Sequence, residues 1–313
     1  MKILVTGAAG YIGSTLIPML LQDGHDVTGV DNFMYNQSPL LDQCWRKNFD
    51  IIRGDSRDMD LMKRLAPKHD VILPLACLTG APICKADPLA ATTTNRDAIV
   101  NLLEIKSKNQ MLIYPCTNSG YGIGQDGIHC DEKSPLNPIT LYGKVKVEAE
   151  QALLESGHCV TFRFATVFGM SPRMRLDLLV NDFVYKAMTD GYLVLFESHF
   201  IRNYIHIRDI ANTFLFMIEN YKKCNNNAFN VGLTSANCTK LELANKIQQF
   251  IPDLVIVENN FKQDFDQRNY MVSNKKLEDQ GWVPTFTLEM GIQELIKGYQ
   301  LITKFKNKDF TNL

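Results

Sequence analysis

A glycine-rich turn between a short apolar strand and a helix constrains the fold of this chain more than any other segment. Residues 6–13 have the sequence TGAAGYIG, directly after the apolar run Ile3–Val5. Glycine lets the main chain turn sharply and brings backbone N–H groups close to a diphosphate, while the helix N-terminus favours the anion. The GxxGxxG spacing therefore predicts a strand, a phosphate-binding turn and a helix. The predicted contacts of this turn are Gly7, Gly10, Tyr11, Ile12 and Gly13.

The same segment shares some properties with a signal peptide or a membrane span, because Met1 and Lys2 precede an uncharged run from Ile3 to Gln22. That run contains three glycines, two threonines, a serine and a proline, and it lacks a small-residue cleavage site. We therefore expect a cytoplasmic protein with no membrane partner.

Short β-branched runs alternate with longer amphipathic stretches through the first half of the chain. The predicted strands are Ile3–Thr6, Asp26–Asp31, Phe49–Gly54, Val71–Leu75, Met111–Thr117 and Cys159–Thr166. The predicted helices are Tyr11–Gln22, Asp58–Leu65, Leu89–Lys106 and Leu141–Glu155. Right-handed crossovers place such helices on both faces of a parallel sheet. The predicted class is therefore α/β, with a Rossmann-like doubly wound parallel sheet.

After Phe168 this alternation changes, which predicts a smaller α+β lobe. Its predicted elements are Leu176–Met188, Tyr192–Phe196, Asp209–Tyr221, Lys240–Phe250 and Leu288–Lys304, of which the second is a strand and the others are helices. We expect a dinucleotide-binding domain over residues 1–167 and a substrate-binding lobe mainly over residues 168–313, with the chain returning to the first domain near residues 200–232. Ligands of open α/β sheets bind at the carboxyl edge, so a cleft there is the predicted site.

An acidic residue at the end of the second predicted strand indicates which dinucleotide binds. Asp31 follows Gly13 at a distance where a carboxylate accepts hydrogen bonds from both ribose hydroxyls and repels a 2′-phosphate. No arginine is adjacent in sequence to offset that repulsion, so NAD, with NADH as its reduced form, is favoured over NADP. Further predicted cofactor contacts are Asn32, Asp55, Ser56, Leu75, Ala76 and Cys77.

Two side chains on the helix predicted at Leu141–Glu155 indicate the chemistry. Tyr142 and Lys146 are four residues apart, so both project from one helix face. A lysine ammonium favours a neighbouring phenolate and lowers the phenol pKa from about 10, which makes the tyrosine a general base, and the lysine can also bind the nicotinamide ribose. Thr117 ends the fifth predicted strand, where its hydroxyl can orient the substrate oxygen. Together with NAD, these residues predict oxidation of a secondary alcohol to a ketone.

Several motifs occur here in the order of a known family: TGAAGYIG, VDN at 30–32, GD at 54–55, Asn95, Thr117 with YG at 121–122, YxxxK at 142–146 and RNYIHIRD at 202–209. They resemble the extended short-chain dehydrogenases/reductases that act on nucleotide sugars. The resemblance implies tightly held NAD contacted by Asn95, and catalysis by Thr117, Tyr142 and Lys146 at C4 of a nucleoside-diphosphate sugar. It also implies a homodimer or higher homo-oligomer, paired through helices 89–106 and 141–155.

The residues after Thr117 distinguish among members of this family. Sugar 4,6-dehydratases carry an acid one or two residues after the threonine, and members that epimerise C3 and C5 carry a cysteine at the Ser119 position. Asn118 and Ser119 therefore disfavour both reactions.

Segments such as FGMSPRMRLDLLVNDF are most similar to the GDP-heptose 4-dehydrogenases of bacterial capsule biosynthesis. That similarity implies oxidation of GDP-D-glycero-α-D-manno-heptose to its 4-keto form. Pro74 and Thr166 depart from the broader family, which has His and Asn there. A 4-epimerase like UDP-glucose 4-epimerase uses the same catalytic residues and stays open as an alternative, and a non-catalytic NAD-binding sensor has less support.

Arginines are expected to hold the anionic GDP-sugar, because a guanidinium binds a diphosphate in bidentate geometry. By resemblance, Arg202 and Arg268 would clamp the diphosphate, with Arg173 or Arg175 nearby. The other predicted substrate contacts are Thr79, Thr117, Asn118, Thr166 and Asn181.

The overall charge argues against a polyanionic partner. Lysine and arginine number 33 against 34 acidic residues, for a net charge of −1, so no bulk attraction to nucleic acid is expected. Eight scattered cysteines form no CxxC pair, and the six histidines form no HExxH motif. We therefore expect reduced thiols and no metal.

Overall fold

The computed structural model describes residues 1–124, 127–259 and 268–302. In chain order, its strands are β1 (Lys2–Thr6), β2 (Asp26–Asp31), β3 (Phe49–Arg53), β4 (Val71–Pro74), β5 (Met111–Thr117), β6 (His129–Cys130), β7 (Val160–Phe164), β8 (Thr166–Phe168), β9 (Tyr192–Phe196), β10 (Ile201–His206), β11 (Asn227–Val231), β12 (Asn237–Thr239), β13 (Val255–Asn259) and β14 (Met271–Val272). Its α-helices are α1 (Gly13–Gln22), α2 (Met59–Leu65), α3 (Ala81–Ala86), α4 (Pro88–Thr92), α5 (Ala98–Ile105), α6 (Leu141–Ser156), α7 (Leu179–Thr189), α8 (Ile207–Cys224), α9 (Lys240–Gln248), α10 (Lys275–Glu278) and α11 (Leu288–Leu301).

A seven-stranded parallel sheet in the order β11-β7-β5-β4-β1-β2-β3 forms the centre of the molecule. The chain builds outward from β1 to β2 and β3 on one side, and to β4 and β5 on the other. Thr6 at the end of β1 is therefore in register with Val30 on one neighbour and with Pro74 on the other. The carboxyl ends of these strands share one edge, and a crevice opens where the strand order reverses. This sheet confirms the predicted doubly wound α/β class.

Alternate residues of the central strands enter two separate cores, one on each face of the sheet. Ile3 and Val5 of β1 belong to a core that also contains apolar residues of α1 and α8, whereas Leu4 belongs to a core with residues of α5 and α6. Because strand side chains alternate between faces, the three consecutive apolar residues Ile3, Leu4 and Val5 of β1 require helices on both sides.

Smaller sheets follow Phe164, where the chain leaves the central sheet. β8, β10 and β12 form a three-stranded sheet, β9 pairs with β13, and β6 pairs with β14. The chain then returns, because α8 packs on α1 and β11 adds to the central sheet beside β7. The topology supports the predicted return near residues 200–232, and we retain the division at residue 168 as a proposal.

Two predicted elements are interrupted. The strand predicted over Cys159–Thr166 is two strands, because after Phe164 the chain exchanges its neighbours in the central sheet for β10. The helix predicted over Leu89–Lys106 contains the π-helical turn Thr93–Asp97. The other helix ends differ from prediction by at most three residues, and the predicted end of the last helix, residues 303–304, lies outside the described residues. Within the described residues, the helices are too short or too polar to cross a bilayer.

Candidate active site

A cavity of about 800 Å³ lies along the carboxyl edge of the central sheet. Most of the predicted site residues line it: Gly7, Gly10, Tyr11, Ile12, Gly13, Asp31, Asn32, Asp55, Ser56, Leu75, Ala76, Cys77, Thr79, Thr117, Tyr142, Lys146, Thr166, Arg173, Arg175, Arg202 and Arg268. Three predicted contacts, Asn95, Asn118 and Asn181, are buried and are not among the lining residues. Most of the predicted site residues therefore line one continuous cavity, and three of them lie behind the cavity wall.

The glycine turn is packed too tightly for other residues. Gly7 has φ of +68°, and a Cβ there would lie 2.6 Å from the backbone nitrogen of Ala76 in the loop after β4. A Cβ on Gly13 would lie 2.6 Å from the carbonyl oxygen of Gly7. Both glycines allow the start of α1 to approach β1 and β4, and the turn from Gly10 to Gly13 lines the cavity there.

Asp31 is fixed by the main chain on both sides. Its Oδ2 accepts a hydrogen bond from Ala9 N at 2.9 Å, and its Oδ1 accepts one from Phe33 N at 2.7 Å. The carboxylate thereby joins the glycine turn to the loop after β2 and stays on the cavity wall. Next to it, Asn32 accepts a hydrogen bond from Met34 N at 3.1 Å.

Asp55, a predicted cofactor contact, is already paired with Arg57, which was not among the predicted site residues. Arg57 Nε and Nη2 donate to its two oxygens at 2.9 and 2.6 Å, and this pair lowers the pKa of Asp55. Arg57 itself lines the cavity. Its position two residues after Asp55 was the available sequence signal.

Asn95 acts on the cavity through the loop after β4. It lies in the π-helical turn, where its Oδ1 accepts from Leu78 N at 2.8 Å and its Nδ2 donates to Leu78 O at 2.9 Å. The loop containing Leu75, Ala76 and Cys77 is therefore held from behind.

Tyr142 and Lys146 lie one turn apart on α6, as predicted, and both face the cavity. Thr140 begins the helix by accepting a hydrogen bond from Gly143 N at 3.1 Å. Lys146 is buried, and its Nζ lies 4.0 Å from the ring centre of Tyr114. This cation–π contact holds the ammonium in place at the cavity wall.

The pKa of Tyr142 departs from its ordinary value in the direction opposite to that predicted. Burial raises it well above 10, because a phenolate loses solvation there, and the nearby thiols of Cys77, Cys116 and Cys84 act in the same direction. The cation that opposes this rise is Arg175. Sequence spacing could not reveal this, because burial depends on how the loops close over α6.

Thr117 ends β5 as predicted, but its hydroxyl is engaged locally. Its Oγ1 donates to Ser119 Oγ at 3.0 Å and accepts from Ser119 N at 3.1 Å. Arg268 also donates to Ser119 Oγ, so this serine connects the end of β5 with Arg268. The amide of Asn118 points elsewhere, into a buried position without a hydrogen-bond partner among the described residues.

The predicted arginines have different partners. Arg175 pairs with Asp177 through two hydrogen bonds, so its charge is already balanced. Arg202 lines the cavity and donates to the main-chain oxygens of Ile201 and Arg268. The pairing of Arg175 with an acid two residues later was readable in the segment MRLD.

Asn181 supports the site from α7. Its Nδ2 donates to Tyr11 Oη at 3.2 Å and to Arg175 O at 2.9 Å, and its Oδ1 accepts from Gly169 N at 3.0 Å. It therefore ties the glycine turn to the segment that carries the arginines. No group of three or more His, Cys, Asp or Glu side chains suited to a metal ion occurs in residues 1–124, 127–259 and 268–302.

Comparison with known proteins gives a consistent result. The family model described as NAD dependent epimerase/dehydratase family matches residues 3–232. The chain is 25% identical to UDP-glucuronate 4-epimerase 4 of Arabidopsis thaliana, over 95% of this chain and 75% of that protein. It is 26% identical to UDP-glucuronic acid decarboxylase 4 of the same plant, over 96% of this chain and 69% of that protein. A solved UDP-glucuronic acid 4-epimerase from Bacillus cereus has the same fold, with a TM-score of 0.85, 24% identity, and coverage of 96% of this chain and 100% of that chain.

Proposed function

The chain belongs to the NAD dependent epimerase/dehydratase family, its cofactor is NAD, and from this premise we propose that it is a nucleotide-sugar 4-epimerase. One observation carries the proposal: Thr117, Tyr142 and Lys146 line the same cavity as the glycine turn and Asp31. A dinucleotide extending from Asp31 toward α6 would bring its nicotinamide to these three side chains.

The residues present fit NAD. The glycine turn brings the positive end of α1 to the cavity edge, which suits a diphosphate, and Asp31 offers carboxylate oxygens to a ribose. Two guanidinium nitrogens of Arg173, a lining residue, are buried without partners among the described residues, which suits an anionic ligand. When bound, NAD would supply a reversible acceptor for the hydride of a sugar C4–H bond.

Each catalytic side chain has a separate proposed task. Tyr142 takes the proton of the C4 hydroxyl at its Oη and returns it when the ketone is reduced. Lys146 keeps a cation beside the phenol and binds the nicotinamide ribose. Thr117 exchanges its hydrogen bond to Ser119 for one to the sugar oxygen, which orients C4 toward the cofactor.

We favour epimerisation over net oxidation because the chain is 25% identical to a UDP-glucuronate 4-epimerase over 95% of its length. Because an epimerase would return the hydride to the opposite face of the ketone, the reaction would need no external oxidant. The GDP-heptose 4-dehydrogenase implied by the sequence resemblance requires the same first half-reaction, but both relatives named above act on UDP-sugars by name.

Product analysis tests the proposal. The protein is incubated with UDP-glucose, UDP-glucuronate and GDP-heptose in turn, and each product is analysed by mass spectrometry and NMR. Unchanged mass with inversion at C4 is the expected result. Loss of two hydrogens with accumulation of bound NADH would instead support the 4-dehydrogenase, and loss of carbon dioxide from UDP-glucuronate would support a decarboxylase.

Two variants make this test specific. Tyr142→Phe should abolish formation of any product, whereas Tyr192→Phe, which alters an exposed tyrosine on β9, should leave it unchanged. Bound NAD with no conversion of any sugar nucleotide would favour the non-catalytic sensor.

A further inference from the structure

Given the NAD-dependent function proposed above, on which this inference rests, we propose that Arg173 and Tyr35 bind the diphosphate of the cofactor from the side opposite the glycine turn. The sequence resemblance placed Arg173 near the substrate diphosphate instead. Four observations favour the cofactor.

The first is the anchoring of the segment that carries Arg173. Arg173 N donates to the hydroxyl of Ser14, the second residue of α1, at 3.3 Å. Ser171 Oγ donates to Tyr11 O at 2.8 Å. The segment 171–173 is therefore fastened to the glycine turn and to the beginning of α1, where a cofactor diphosphate is expected.

The second is the position of the side chain. The guanidinium carbon of Arg173 lies 4.2 Å from the ring centre of Tyr35, which follows Asp31 in the loop after β2. The carboxylate of Asp31 is close enough to act electrostatically on Arg173. The guanidinium thus lies between the start of α1 and the loop after β2, at the end of the cavity where the adenosine half of NAD would bind.

The third is a set of unused donors. Arg173 is 2% exposed, and its Nη1 donates to Met174 O at 3.2 Å. Its Nε and Nη2, and the hydroxyl of Tyr35, are buried without hydrogen-bond partners among the described residues, although both residues line the cavity. Buried donors of a cation are costly unless an acceptor satisfies them, and phosphate oxygens accept from several donors at once.

The fourth is the charge around this cluster. Arg175, beside it, already pairs with the carboxylate of Asp177. Burial and the neighbouring Arg175 lower the pKa of Arg173, so an anion between the donors would stabilise its charged form. Arg202 and Arg268 lie at the other end, where Arg268 contacts Ser119 beside Thr117, and they remain the proposed ligands of the substrate diphosphate.

Binding measurements without any sugar substrate test the inference independently of epimerase activity. Arg173→Met and Tyr35→Phe are purified beside the parent protein, and calorimetry gives the affinities for NAD, ADP-ribose, adenosine, UDP and GDP. Arg173→Met should weaken NAD and ADP-ribose binding by a similar factor, roughly tenfold to a hundredfold, while binding of adenosine, UDP and GDP is unchanged. Tyr35→Phe should weaken the same two ligands a few-fold, and less NAD should remain with either variant through purification.

Arg46→Met is the matched control, because Arg46 also lies over an aromatic ring, that of Trp45, but does not line the cavity. If Arg173→Met weakened UDP or GDP binding and spared NAD, Arg173 would be a substrate ligand. Equal losses for adenosine and NAD would show a merely structural role. If NADP is measured as a further ligand, a greater loss for NADP than for NAD in Arg173→Met would place the arginine at the 2′ position. If Arg173→Met did not fold, Arg173→Lys and Tyr35→Phe would carry the same comparison.

Discussion

The side-chain amide of Asn95 holds both main-chain polar groups of Leu78, accepting from its N–H at 2.8 Å and donating to its carbonyl at 2.9 Å. This pairing completes the backbone hydrogen bonding of a cavity loop that has no strand neighbour at that point. The π-helical turn around Asn95 widens the helix there, and such turns are frequent at functional sites.

Replacing Asn95 should loosen this loop. Asn95→Asp removes the donor to the Leu78 carbonyl and buries a carboxylate in its place, so we expect a loss of about 1–3 kcal/mol in the free energy of unfolding and weaker NAD binding. Denaturant titration and calorimetry measure the two effects. Asn109→Asp, at an exposed position, is the control. An unchanged unfolding midpoint would mean that the loop does not depend on Asn95.

Tyr142→Phe should reduce turnover by about 10²–10⁴-fold, because the phenol is the proposed acid and base. The variant keeps the ring and its packing, so NAD binding and the melting temperature should stay near the parent values. Single-turnover measurements with the bound cofactor report the chemical step. Activity within a few-fold of the parent would exclude Tyr142 as the base.

The rate should depend on pH in a direction set by the pKa of Tyr142. Burial raises that pKa, and the base must be deprotonated, so oxidation of the sugar should accelerate as pH rises above neutrality. Arg175 favours the phenolate, so Arg175→Gln should shift this acceleration to higher pH. A pH profile of kcat/KM for both proteins tests the shift, and coincident profiles would contradict it.

Asp31→Ala should weaken NAD more than it weakens the nucleotide sugar. The carboxylate is proposed to bind the cofactor ribose, and its bonds to Ala9 N and Phe33 N also shape the glycine turn. Calorimetry should show at least about a tenfold loss for NAD, the equivalent of roughly 1.4 kcal/mol, with little change for UDP. Asp26→Ala, at the exposed beginning of the same strand, should change neither. Equal losses for the two ligands would argue against the ribose assignment.

Glu294 should make stability depend on pH on the acid side. Burial alone would raise its pKa, but hydrogen bonds from His206 Nε2 at 2.7 Å and Met170 N at 3.1 Å, with the charge of Arg208, hold it below the usual range. A lowered pKa in the folded state gives stability that is present above the unfolded value of about 4.3 and is lost as pH falls through the folded value. Urea midpoints of Glu294→Gln should therefore fall less between pH 6 and pH 3 than those of the parent protein, because the variant lacks this titrating carboxyl group. Parallel curves would show that Glu294 does not contribute.

The sequence was sufficient for the sheet and for the cofactor turn, because both depend on local patterns. The spacing of Gly7, Gly10 and Gly13 after β1 requires a close approach that only a strand, turn and helix provide. The bulk of the site followed from the rule that parallel strands end at one edge. The pairing of Arg175 with Asp177 also has a local sequence signal, because an acid follows the arginine by two residues.

What the sequence did not predict depends on burial and on contacts between distant segments. The raised pKa of Tyr142 follows from its burial, and Tyr142 packs against Leu78 and Cys84, which are distant in sequence. The position of Arg173 over Tyr35 joins residues that are far apart in sequence, and no local pattern specifies it. Asn95 and Asn181 were predicted as ligand contacts, but the structure places both behind the cavity wall, where they hydrogen-bond Leu78 and Tyr11.

The last strand of the central sheet, β11, is contributed only after the chain has completed β8, β9 and β10. A single recombination event that exchanged everything after residue 168 would therefore also replace an edge strand and α8, which packs on α1. A new sugar specificity cannot be acquired by transplanting the second half as an intact cassette. Diversification in such a scaffold must proceed through substitutions and short insertions in the loops at the carboxyl edge, while β11 and α8 continue to match their neighbours.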